Sequence, residues 1–345
     1  MGHWTGAAKI VIVAAIVGAV VSTVPGDEAP TKKPAAPGPG ANADSKEPAA
    51  PASLRFLPKS RRMSTFDFEG RFEITARDVS FEAPDAYKEG FSFWAGRMKG
   101  QKRSEVCQIV TITQDADDHG LVSFRRTIPK YDVEIERQGE VLTPGGNVEK
   151  SVATLQWEGT FDVFGNVKEM RKVAGKDDEE ITALAIPEMS RLFPDVDGPR
   201  DLKIGEGFKE ERVVRLPSKL GIAGLEKLTI QWTREYTLKS FDDGVATFEV
   251  KTTYATDPAF KADTDKTTCR ISGGGSGEAL FEIRRGVFVR SRQPTSMHID
   301  LEAPLRPLPN HPETDAGTLG KSHIDLDLLL SGQQTVRRVW GEEPD

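Results

Sequence analysis

The chain has 345 residues, 37% hydrophobic and 29% charged, with 32 glycines and a formal net charge of −7. That apolar content suffices for a core and excludes wholesale disorder, while the acidic balance excludes a general attraction to nucleic acid or anionic lipid. The basic pairs Arg125-Arg126, Arg284-Arg285 and Arg337-Arg338 read as solvated strand ends.

Residues 1–24 carry one Lys at position 9 ahead of an uninterrupted apolar run, Ile10 to Val21. This is an export signal. A cleaved signal peptide and an uncleaved anchor both fit, because Ala7 to Val24 is just long enough to span with Lys9 at the edge. Pro25 to Ser53 is rich in Pro, Ala and small polar residues without a large apolar side chain, the composition of a disordered, partly extended spacer. The expected location is extracytoplasmic, periplasmic or cell-surface, either membrane-anchored or secreted.

Period-two alternation dominates after residue 65. Phe66, Phe68, Phe72 and Ile74 alternate with acidic and basic residues, as do Tyr131, Val133 and Ile135, then Leu228, Ile230 and Trp232, then Ala246, Phe248 and Val250, then Ile324, Leu326, Leu328 and Leu330. Each run predicts a half-buried strand. Turns are expected at 117–120, 137–140, 164–166, 242–245 and 284–287, where Gly, Asn and Asp supply positive φ. Only 177–193 reads as helical, with acidic residues at its start and Pro187 able to begin a second short helix.

The segments on either side of that helix match. Gly120 aligns with Gly244, Phe161 with Phe281 and Gly165 with Gly286, at offsets of 124, 120 and 121 residues. An internal duplication is the expected cause. The fold class expected is mainly β: two repeated curved antiparallel sheets, half-barrel or sandwich-like, with one or two short helices between them. The organisation expected is a signal peptide or anchor over 1–24, a Pro/Ala-rich linker over 25–58, a first β repeat over 59–176, a helical connection over 177–200, a second β repeat over 201–335 and a tail over 336–345.

The run "GGGSG" at 273–277 precedes an apolar strand rather than a helix, and its counterpart in the first copy is "LQWEG". A phosphate loop is therefore not expected. The glycines predict a bulge or a close backbone crossing.

Lys203-Ile204-Gly205 with Phe208, followed by Phe281-Glu282 and Gly286, resemble the "vkvGdsW" and "fD.e.G.l" segments of an uncharacterised family of bacterial exported proteins. Phe208 stands near that family's usual Trp. The resemblance covers about residues 65 to 330. The family is similar in outline to periplasmic lipoprotein carriers, in which a curved sheet and covering helices enclose an apolar cavity. The resemblance implies a half-barrel and an extracytoplasmic compartment, without an established activity.

Cys107 and Cys269 lie in strand-like segments, and an oxidising compartment favours pairing them where their Cα atoms lie within about 7 Å. Two buried free thiols are the alternative. His298 and His323, with Asp300 and Asp325, suit a metal only if their strands are neighbours; otherwise they are ordinary strand-face residues. The expectation is no metal site and no cofactor. No HExxH, GxSxG, CxxC, Walker or EF-hand pattern occurs, so no catalytic residues are assigned and the protein is not expected to be an enzyme. Two readings remain. One is a binding protein that holds a lipid or other hydrophobic ligand against a curved sheet at Trp94, Trp157 and Trp232. The other is a structural or protein-interaction module of the cell envelope, with those Trp residues in the core. The expected partners are a hydrophobic ligand or an envelope protein, and the membrane through the N-terminal segment if it is uncleaved.

Overall fold

A computed structural model describes residues 53–59, 62–82, 96, 99–142, 150, 152–175, 196, 198–215, 229–259, 268–304 and 321–341. The N-terminal apolar run, the spacer up to residue 52, Trp94 and the helical stretch at 177–193 lie outside the described residues.

Strands follow one another along the chain as β1 Leu54–Phe56, β2 Ser64–Glu82, β3 Lys102–Ala116, β4 Val122–Arg137, β5 Glu140–Leu142, β6 Gln156–Phe161, β7 Val167–Ala174, β8 Arg200–Leu202, β9 Gly207–Arg215, β10 Thr229–Asp242, β11 Val245–Thr256, β12 Thr268–Glu282, β13 Val287–Arg292, β14 Thr295–Pro304 and β15 Lys321–Gly341. The protein is mainly β and antiparallel, as the alternation predicts. In β11, Ala246, Phe248, Val250, Thr252 and Tyr254 are buried while the residues between them are partly or fully exposed. One face of each such strand has left water, which at about 25 cal/mol per Å² of apolar surface drives the assembly.

The expected turns form. Gln138-Gly139 and Asp243-Gly244 have φ of 50° and 81°, and of 47° and 80°. These are two-residue turns with both φ values positive, whose twist matches that of the strands they join, β4 to β5 and β10 to β11.

A large sheet of 13 strands runs β7-β6-β4-β3-β2-β15-β13-β12-β11-β10-β9, with β14 paired to β12 and β15, and β5 to β4. Its path has two ends, so it is not a closed barrel. A second sheet consists of β1 and β8 alone. The strands assigned to the two copies thus join edge to edge in one sheet. The joint is β15, which pairs with β2 from Gly341↔Ser64 to His323↔Glu82 and with β13 and β14 on its other side. Pairing the last strand with β2 removes two open edges at once, which is why the halves do not remain separate sheets. Each half is a meander in the same sense, β7-β6-β4-β3 and β13-β12-β11-β10.

The buried face carries two main apolar clusters. One gathers Phe66, Cys107, Ile109, Ile128, Tyr131, Val133, Val152, Leu155, Trp157 and Val287. The other packs the small sheet, through Leu54, Phe56 and Leu202, onto Phe208, Tyr236, Leu238, Phe248 and Phe281. In it the Phe56 ring stacks on Phe208 at 4.9 Å and lies 4.7 Å from Phe281. Phe164, in the turn between β6 and β7 at one edge of the large sheet, packs against this second cluster. Asn166 beside it exchanges hydrogen bonds with the backbone of Val196. The large sheet therefore bends over its own buried face, and β1 and β8 lie within the bend.

Candidate functional site

Trp157 on β6 and Trp232 on β10 both lie on the buried face, 3% and 1% exposed. They differ in surroundings. Trp157 is enclosed by the first apolar cluster and pairs across the sheet with Arg126 on β4. Trp232 sits among charge: the guanidinium carbon of Arg234 lies 4.2 Å from its ring centre and that of Arg212 lies 5.4 Å away. Such contacts stabilise by about 2 kcal/mol when desolvated. Arg212 in turn pairs with Glu210, two residues along β9, whose cross-strand partner is Arg234.

The glycine run lies beside this group, inside β12. Tyr254, the cross-strand partner of Trp232, pairs with Gly273, and Thr252 pairs with Gly275. On the other side of β12 is the break between β13 and β14, at Gln293 and Pro294. A Cβ at Gly275 would stand 2.2 Å from the Pro294 carbonyl oxygen and 2.8 Å from Thr295 Cα; one at Gly277 would stand 2.0 Å from the Arg292 oxygen and 2.7 Å from the Gln293 side chain. The glycines therefore mark a close backbone approach within a strand, not a phosphate loop. Gly273, Gly275 and Gly277 recur at a spacing of two, in phase with buried Cys269, Ile271, Ala279 and Phe281, and leave a strip without side chains in which Gly273 is exposed and the other two half-buried.

Four buried polar atoms on the strands around this strip have no hydrogen-bond partner: Thr252 Oγ1 and Thr295 Oγ1, on either side of Gly275, Gln293 Nε2 against Gly277, and Trp232 Nε1, one strand further out on β10. Each side chain is no more than 4% exposed. A buried polar atom left unbonded costs about 1–3 kcal/mol, so four on one face are an unusual concentration. Two of the four can only donate. A group bearing acceptor oxygens, laid over the glycine strip, is the chemistry that complements them.

The Arg125-Arg126 pair is not a solvated strand end. Arg125 is exposed and bonded to Glu158 at 2.8 Å, but Arg126 is 0% exposed because its side chain alternates onto the buried face. Its Nε donates to Thr111 Oγ1 at 2.9 Å, its guanidinium lies 4.9 Å from the Phe124 ring centre, and Nη2 has no partner. Burial pushes its pKa down to about 9.

Cys107 and Cys269 form no disulfide; both are buried thiols. Cys107 neighbours Gly70 on β2, whereas Cys269 reaches β2 through Leu301 and Ile324 at Phe81, eleven residues further along. At about 3.3 Å per residue that is roughly 36 Å of strand, and the sideways steps of about 4.8 Å per strand cannot close it to bonding distance. Burial raises both thiols, Cys269 to about 12, so neither is a reactive thiolate.

A hollow of about 1000 Å³ opens on the opposite face of the first half, lined by residues of β3, β4, β6 and β7. Its floor is a register row, Ile112, Arg125, Glu158 and Arg171, in which both arginines approach Glu158. Neither Trp157 nor Trp232 lines it.

No protein-family model matches the chain, and no curated protein matches it in sequence. The site is therefore read from its own chemistry.

Sequence reasoning found Trp232 but missed Thr252, Gln293, Thr295 and Arg126. The signal was present in the alternation. Thr252 interrupts the apolar series Phe248, Val250, Tyr254, and Thr295 precedes Met297, Ile299 and Leu301 on the same face. Glycines at alternate positions of one strand were the third sign.

Proposed function

We propose that the protein is an extracytoplasmic binding protein that holds an amphiphile, a lipid or acylated chain whose oxygen-bearing head lies over the Gly273–Gly277 strip. What carries this reading is the set of unbonded buried polar atoms, Trp232 Nε1, Thr252 Oγ1, Gln293 Nε2 and Thr295 Oγ1, on the buried face around the glycine strip. A fold keeps such atoms at a cost in stability where a ligand bonds them. The apolar part of the ligand lies along the neighbouring aliphatic and aromatic side chains, and no catalytic step is assigned.

Export by the N-terminal run and tethering by the Pro/Ala-rich spacer complete the proposal. A duplication accounts for the two meanders: β3–β4 matches β10–β11, and β6–β7 matches β12–β13. In support, Gly120, Gly165, Gly244 and Gly286 all adopt positive φ in the corresponding turns.

Native mass spectrometry and solvent extraction of full-length protein purified from its own envelope test the reading. Wild type retains an amphiphile, and Thr252→Val with Thr295→Val loses it while melting at the same temperature or higher. If wild type carries nothing by either method, the carrier reading fails. The interaction-module reading then takes its place, favoured by the charged outer hollow.

A further inference from the structure

The exposed face of β14 and β15 carries a second constellation, remote in chemistry from the apolar site. The two strands are neighbours, so the condition set by the sequence for His298 and His323 is met. His298 pairs with Asp327, Asp300 with Asp325 and Glu302 with His323. His298 Nδ1 lies 2.9 Å from Asp327 Oδ1 and 3.6 Å from Asp325 Oδ1. His323 Nε2 lies 3.0 Å from Asp300 Oδ1.

We infer that His298, Asp325 and Asp327 form a binding site for a divalent transition-metal ion of the zinc type. The argument is geometric. Two ligands at about 2.0–2.1 Å from a tetrahedral zinc stand about 3.3 Å apart. The two distances from Nδ1 bracket that value, and one ligand atom from each of the three residues lies within 4.8 Å of the others. An imidazole nitrogen with two carboxylates selects a transition ion over calcium, which takes oxygen ligands. Paired β-strands fix the set: Asp325 and Asp327 are two apart on β15, hence on one face, and His298 faces Asp327 from β14.

The surroundings favour positive charge. On β2, Asp78 stands opposite Asp327, Ser80 opposite Asp325 and Glu82 opposite His323. On β12, Ser272 stands opposite His298 and Arg270 opposite Asp300. Lys99 is bonded to Asp78 and Lys321 pairs with Glu302, which leaves Asp325 and Asp327 facing the imidazole. His323 belongs to the neighbouring pair with Asp300 and is not a ligand of this ion. A fourth position is left to water, so the site is open on its solvent side.

Calorimetric titration of chelator-treated full-length protein with zinc chloride tests the inference, with calcium chloride as the comparison. The expected result is one zinc per chain with a micromolar dissociation constant and calcium at least tenfold weaker. His298→Ala and the double variant Asp325→Asn, Asp327→Asn each weaken zinc at least tenfold, and His323→Ala leaves it within threefold. These side chains are solvent-accessible, so circular dichroism serves as the check that each variant folds. No zinc binding by wild type below 100 µM zinc, or binding unchanged in His298→Ala, overturns the assignment; a threefold or greater loss in His323→Ala instead overturns the ligand set.

Discussion

Replacing Arg126 with methionine removes a charge from the driest part of the first half, and the structure allows its effect to be worked out. The guanidinium is fully buried, donates from Nε to Thr111 at 2.9 Å and weakly from Nη1 to the Met170 sulfur at 3.7 Å, and has an unpartnered Nη2. Among the described residues no carboxylate pairs with it. Desolvation moves its pKa from 12.5 to about 9. At 1.36 kcal/mol per unit, that is a penalty of roughly 5 kcal/mol for carrying the charge in the folded state. Methionine has a similar length and no charge, but loses the Thr111 bond, about 1 kcal/mol, and the contact with Phe124, about 1–2 kcal/mol. The expected net effect at pH 7 is a gain of about 2 kcal/mol in stability. The sign of its pH dependence follows from linkage. The folded state holds the proton less tightly than the unfolded chain, so wild type gains stability as pH rises through about 9, and its deficit against the variant narrows. Urea denaturation of both proteins at pH 7 and pH 10 measures this. A variant less stable than wild type by more than about 1 kcal/mol at pH 7, with a gap that does not change with pH, would refute the reasoning.

Gly277→Ala places a Cβ 2.0 Å from the Arg292 carbonyl oxygen, which must move, so a loss of about 1–3 kcal/mol is expected in urea denaturation; an unchanged midpoint would contradict the close approach. Asp162 anchors the turn between β6 and β7. Burial raises its pKa, but Lys168, the Asn166 backbone and side chain, and the Phe164 amide outweigh that and hold it below the usual carboxylate range. Its stabilisation is therefore present above the unfolded value of about 3.9 and is lost as pH falls through the folded value. Asp162→Ala should cost about 1–2 kcal/mol at pH 7 and less below pH 3, which acid denaturation curves will check. The cysteines should give two thiols per chain in denaturant with or without prior reduction, and almost none in the native protein within minutes. Fewer than two without reductant would mean that a disulfide forms after all.

Strand after strand was legible in the sequence because one buried face imposes a period of two, and the Gln138-Gly139 and Asp243-Gly244 turns were legible because few residues tolerate positive φ. The union of both halves in one sheet was not, since it depends on β15 pairing with β2 across most of the chain, and alternation says nothing about a strand's neighbours. The same blindness explains Cys107 and Cys269, whose alternation is right and whose separation along β2 no local pattern reveals. Arg126 was misread because a basic pair suggests solvent, although strand geometry sends only one of two adjacent side chains outward. For Trp232 the residue type drew attention, while the polar atoms that give it meaning come from β11, from the break between β13 and β14, and from the first residue of β14.

The most direct test of amphiphile binding over the glycine strip follows the indole N–H resonances of Trp232 and Trp157, two of the chain's five tryptophans, assigned by Trp→Phe substitution in nitrogen-labelled protein, as a short-chain phospholipid is added below its micelle concentration. The account predicts that the Trp232 indole resonance moves to a saturating position, as its Nε1 gains an acceptor, while the Trp157 resonance, enclosed by the first apolar cluster, stays in place. A Trp232 resonance that does not move at saturating phospholipid would contradict the account.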